Sequence, residues 1–96
     1  MVKHIVCFKL ADPTPENCEK AAEVLRSMRG NVEQIVDMDV GVDFLRSPRS
    51  YDVFLSVTVA DRAALEAYQR QQYHCDVVKT HMHAVCCASV ALDYEI

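Results

Sequence analysis

The chain has 96 residues, of which 51% are hydrophobic and 25% charged, with a net charge of −4. That is enough sequence for one domain, spanning residues 1–96, and too apolar a composition for a disordered chain. The Lys and Arg residues are scattered, so there is no phosphate-backbone footprint, and nucleic acid is not an expected partner.

No apolar run approaches the roughly 18 residues of a membrane span, and MVKHIVCFKL lacks the length and cleavage site of a signal peptide. The expectation is a cytoplasmic protein with no membrane partner. The cysteines, Cys7, Cys18, Cys75, Cys86 and Cys87, are odd in number and contain no C-x-x-C, which argues against a disulfide framework. Most are expected to pack in the core as small hydrophobes.

Residues 2–10, VKHIVCFKL, read as a strand. Val2, His4, Val6, Phe8 and Leu10 share one face, and Lys3, Ile5, Cys7 and Lys9 the other. Thr14-Pro15 starts a helix with a capping hydroxyl followed by proline at the first helical position. Cys18, Ala21, Ala22, Leu25 and Met28 repeat at helical spacing as one apolar stripe, and Gly30 can take a left-handed C-terminal cap.

Between Val36 and Phe44 apolar residues alternate with Asp37, Asp39, Gly41 and Asp43. The pattern is that of a strand with one buried and one wet face, the carboxylates also deterring edge-to-edge pairing. Tyr51–Val59 is the strongest strand. Asp61 caps a second helix, and 84–94 form a last strand that is apolar on both faces. The order β-α-β-β-α-β is a ferredoxin-like, split-βαβ pattern, an α+β fold with both helices on one face of a four-stranded antiparallel sheet. The other face of at least three strands is apolar, and no element remains to cover it. A second copy, face to face with a lined space between the sheets, is the simplest cover, so a homodimer is expected.

Chemistry could gather at three residues. His4 interrupts an apolar strand face, where a histidine is more often a satisfied core residue than a catalyst. Tyr68 and His74 are six residues apart, which on one continuous helix puts them on opposed faces. They meet only if the helix breaks near Gln71-Gln72. A histidine and a tyrosine hydroxyl then form a plausible base and donor for proton transfer next to a carbonyl. The spacings of His74, Cys75, His81, His83, Cys86 and Cys87 match no standard zinc motif, so no metal and no cofactor is expected. Nor does Cys75 after His74 make a nucleophilic dyad.

The segments VKHIVCFKL, VGVDF, SYDVFLSVTV, DRAALEAYQRQQYHCDVV and VALDYE together resemble the stress-responsive A/B-barrel domain family. The resemblance implies a ferredoxin-like fold assembled as a dimeric α/β barrel. Members similar to plant polyketide cyclases imply cofactor-free, aldol-type ring closure, with His4, Tyr68 and His74 as the catalytic residues. In that scheme His74 takes a proton next to a carbonyl, Tyr68 donates to the oxyanion, and His4 hydrogen-bonds within the cavity. The ligand implied is small, aromatic or polyketide-like, with Val6, Phe8, Val53 and Leu55 in its apolar lining. A competing reading is a non-catalytic stress or accessory protein whose role is the stable dimer. An oxidative monooxygenase is a third.

Overall fold

Alternation and β-branched content place Val2–Leu10 in a strand, β1. In the computed structural model, which describes all 96 residues, Thr14 Oγ1 accepts the Asn17 amide at 3.1 Å and Pro15 opens α1, Pro15–Arg26. The stripe Cys18, Ala21, Ala22, Leu25 and Met28 is buried against the sheet. Gly30 takes a positive φ, as expected of it, though only after the chain has left α1 through a turn at Ser27–Arg29.

The sheet is completed by β2, Asp37–Val42, β3, Val53–Val59, and β4, Cys86–Glu95. All pairings are antiparallel and the spatial order is β2-β3-β1-β4. His4 therefore lies between Val57 on β3 and Asp93 on β4. The core fills the space between this sheet and the helices with Val2, Leu10, Met38, Val53, Leu55, Val57 and Val59 from the strands. The β-α-β-β-α-β architecture is as read from the sequence.

One part of that reading is corrected. The sheet does not close into an α/β barrel: it is open, with β2 and β4 as its edges. Four strands are too few for a closed barrel, whose small, side-chain-filled forms need roughly eight.

Strand limits also move inward. Val36 and Phe44 fall outside β2, and Phe44 is 90% exposed. β3 starts at Val53 rather than Tyr51 because Asp52 is an anchor rather than part of the alternating pattern. Its carboxylate is buried, accepts the Leu10 amide at 2.7 Å and pairs with Arg46 Nη1 at 2.7 Å. A buried carboxylate requires such partners. They tie the 43–52 loop to the end of β1, and Arg46 adopts a positive φ of 56° within it.

The second helix is broken. Asp61 Oδ1 caps α2, Arg62–Arg70, through the Ala64 amide at 2.8 Å. Gln71 is extended, with φ −60° and ψ 135°. The chain then re-enters a helical path whose middle, His74–Lys79, is a π-helical turn that runs into α3, Thr80–Val85.

On the face away from the helices, Ile5, Cys7, Phe54, Val90, Leu92 and Tyr94 come together across β3, β1 and β4. Leu92 is 60% exposed and Val90 50%. The cysteines are less buried than expected: Cys18 alone is in the core, and Cys87 is exposed. Cys7 sits on the open sheet face and Cys87 in an edge strand, which leaves both short of partners.

Candidate functional site

The break at Gln71 determines the site. Gln71 has no proline or glycine beside it, but its side chain does the work of a cap. Oε1 accepts the His74 amide at 2.8 Å, and Nε2 donates to the Asn31 carbonyl at 3.2 Å. The main chain is free to turn because the first amides of the new helix have found an acceptor. With the helix reset, residues 68 and 74 no longer sit on opposed faces.

Tyr68 and His74 stack with ring centroids 4.3 Å apart and an interplanar angle of 25°. His4 meets the Tyr68 ring edge-on at 5.8 Å and 62°. All three are buried and border one cavity of about 260 Å³. Val6, Phe8, Leu55, Leu25, Val78, Met82 and Ala91 supply its apolar wall, with Lys79, Cys86 and Ser89 among the polar groups. Of the residues expected to line it, Val53 does not. It is buried in the core one cross-strand pair away, opposite Phe8. The cavity lies between the sheet and the π-helical segment of a single chain, not between two facing sheets as expected. The face of β1 that carries His4 turns toward the helices, and the cavity follows it.

Each polar group has a defined state. His74 Nδ1 lies 3.1 Å from the Tyr68 carbonyl oxygen. A carbonyl can only accept, so Nδ1 carries the proton and Nε2 keeps a free lone pair. Burial lowers the His74 pKa from 6.5 to about 4, helped by the charge of Lys79 and by His4 and opposed by the Tyr68 hydrogen bond. His74 is therefore neutral at pH 7.

His4 Nδ1 bonds the Asp93 carboxylate across the β1–β4 pair. That arrangement orients the ring and leaves Nε2 as its second functional nitrogen. The Tyr68 hydroxyl donates to Met28 Sδ at 3.6 Å in the core, and burial pushes its pKa up. It is a neutral phenol that gives its hydrogen to a weak acceptor. The Cys86 thiol is raised to about 11 by burial, chiefly, and by Cys87 and Asp52, so it is no nucleophile at neutral pH. No three His, Cys, Asp or Glu side chains gather where a metal ion could bind.

Sequence reasoning missed Asp93 and the capping role of Gln71, having named Gln71-Gln72 only as the place where the helix would have to break. Asp93 becomes visible only through strand register, because it is 89 positions from His4. Gln71 carries no recognised capping signal.

The fold recurs in solved structures. A dimeric ferredoxin-like protein of unknown function from Thermobifida fusca superposes with a TM-score of 0.84 at 19% identity, covering 99% of this chain and 90% of its own. A dimeric protein of unknown function and ferredoxin-like fold from Bacteroides fragilis gives 0.82 at 21% identity, covering 99% and 95%. The hydroxynitrile lyase of Passiflora edulis gives 0.80 at 16% identity, covering 99% and 92%. None of the curated protein sequences matches this chain. The family description that does match is Stress responsive A/B Barrel Domain, over residues 2–96. A match running from the first residue of β1 through the end of β4 takes in every element that builds the cavity, and the chain belongs to that family.

Proposed function

We propose that the chain is a homodimeric small-molecule-binding protein whose cavity holds a largely apolar, aromatic or polyketide-like carbonyl compound, with His74 as a cofactor-free base. The observation that carries this reading is the state of His74: neutral, stacked on Tyr68, and fixed as the Nδ1–H tautomer by a backbone carbonyl. Its Nε2 lone pair can take a proton from the carbon next to a carbonyl. His4, held by Asp93, is positioned to hydrogen-bond the same ligand. Tyr68 acts here through its ring, as the platform for both imidazoles.

The test is deuterium incorporation into the methyl group of acetophenone in D2O. The wild-type protein is expected to accelerate it over buffer, and His74→Gln to lose that acceleration by on the order of a hundredfold or more. A wild-type rate no faster than buffer, or an unaffected variant, ends the catalytic reading.

One observation favours a non-catalytic binding protein instead. The Tyr68 hydroxyl and His74 Nδ1 both have partners within the chain, as in a polar cluster kept for structure. The same exchange assay separates the two.

The dimer is proposed to form through the open sheet face, where Leu92 and Val90 are exposed beside Ile5 and Phe54. A patch of this kind on a small domain is costly to leave in water, and similar structures are described as dimeric. Sedimentation of the wild-type protein should give twice the chain mass, and Leu92→Lys the monomer. A dimer that survives Leu92→Lys unweakened places the interface elsewhere.

A further inference from the structure

We infer that Lys79 is the anion-recognising group of the cavity, and that the ligand is a small apolar compound carrying a carboxylate in addition to its carbonyl, with the charged end held at Lys79. This rests on the ligand-binding reading above and deepens it by naming the ligand's chemical class.

The argument starts from the helix. Five residues along an ordinary α-helix turn through about 500°, which would put positions 74 and 79 some 140° apart. The π-helical turn His74–Lys79, bonded i→i+5, turns through a smaller angle per residue, which brings its first and last residues nearer to one side. Both residues border the cavity. The same turn thus brings the imidazole and the lysine to one cavity. Such turns occur frequently at functional sites because they re-aim side chains in this way.

The charge has no opposite number. No Asp or Glu borders the cavity, and the ion pairs of the chain involve His4, Arg26, Arg46 and Arg62 but not Lys79. Lys79 Nζ donates to the Gln69 carbonyl oxygen at 2.9 Å. That neutral acceptor uses one of three ammonium hydrogens and leaves two. Asp93, the carboxylate nearest His4 in the sheet, is already bonded to that ring. A half-buried ammonium without a counter-charge, on a wall that holds no carboxylate, is arranged to be neutralised by what enters. Lys79 also adds to the forces that keep His74 unprotonated, which agrees with the two groups being close. The Tyr68 hydroxyl is turned to Met28, and Lys79 is the one Lys or Arg side chain on the cavity wall.

The test uses a matched pair, 2-naphthoate and its neutral counterpart methyl 2-naphthyl ketone, titrated calorimetrically at pH 7. The wild-type protein is expected to bind the carboxylate roughly tenfold tighter or more, the scale of one charge-assisted hydrogen bond. Lys79→Met should bring the two affinities together, and Lys79→Arg should keep the preference. If Lys79→Met does not fold, Lys79→Gln serves the same comparison. A wild-type protein that binds both compounds equally, or a preference that survives loss of the charge, overturns the role of Lys79 and leaves the cavity reading standing. A wild-type protein that binds neither overturns both. A second readout needs no ligand: the His74 ring titration, followed by NMR, should move up in Lys79→Met. An unmoved titration would put the ammonium too far from His74 and overturn the assignment.

Discussion

Acidification from pH 6.5 to 4 is expected to remove about 3 kcal/mol of stability from the wild-type protein that a His74→Gln variant does not lose. The folded-state pKa of His74 is about 4 against an ordinary 6.5. Between those values the unfolded chain binds a proton at this position and the folded chain does not. Acid therefore favours the unfolded chain across that window, and the stability contributed by His74 rises with pH until it levels off above 6.5. The expected difference between the two proteins is about 2 kcal/mol at pH 5 and about 3 kcal/mol at pH 4. Urea unfolding of both at a series of pH values measures it. The two proteins differ at this one position, so the contributions of all other groups largely cancel in the comparison. Parallel pH profiles would mean that His74 takes up its proton in the folded state at an ordinary pH.

The same physics links stability to function. His74 is kept neutral because it is buried beside a phenol ring and an ammonium, and a neutral imidazole with a fixed tautomer is what a general base must be at rest. The acid sensitivity of the fold and the neutrality of His74 then have one cause, which also leaves Nε2 a weaker base than an ordinary imidazole. A variant that exposes His74 should lose the acid sensitivity and, with its pKa nearer 6.5, make Nε2 the stronger base.

How far the sequence foretold this depends on the range of the interactions. Thr14-Pro15 and Asp61 are local signals, and both helices start where those residues place them. The alternation in β1 and β3 is also local, and it correctly sets which residues share a face. What failed to show is what depends on partners far along the chain. Asp52 reads as one more polar residue before a strand, yet it is buried by an amide and a guanidinium from two other segments. His4 reads as an oddity until Asp93 is brought alongside by antiparallel register. The break at Gln71 depends on a side-chain amide bonding Asn31 forty positions away as well as the His74 amide nearby, and glutamine is not among the preferred caps. The π-helical turn carries no composition signal. Lys79 has no sequence signal of its own for that reason.

Tyr68→Ala is expected to cost about 3–5 kcal/mol, whereas Tyr68→Phe should cost less than about 1.5 kcal/mol. Tyr68 is the largest fully buried side chain, and truncating it leaves a void between α1, β1 and the π-helical turn. Loss of the hydroxyl alone removes only the contact with the Met28 thioether, a weak acceptor. For a chain of this size the alanine variant should melt lower by more than about 10 °C, and the phenylalanine variant by a few degrees. The pair also reports on the site. Phenylalanine keeps the ring on which His74 stacks and should keep the His74 pKa low, while alanine opens that face and lets it climb toward its ordinary value. Equal losses in the two variants would show that the hydroxyl, and not the ring, holds the cavity wall. A His74 pKa that stays low in Tyr68→Ala would assign its burial to Val78 and Met82 instead.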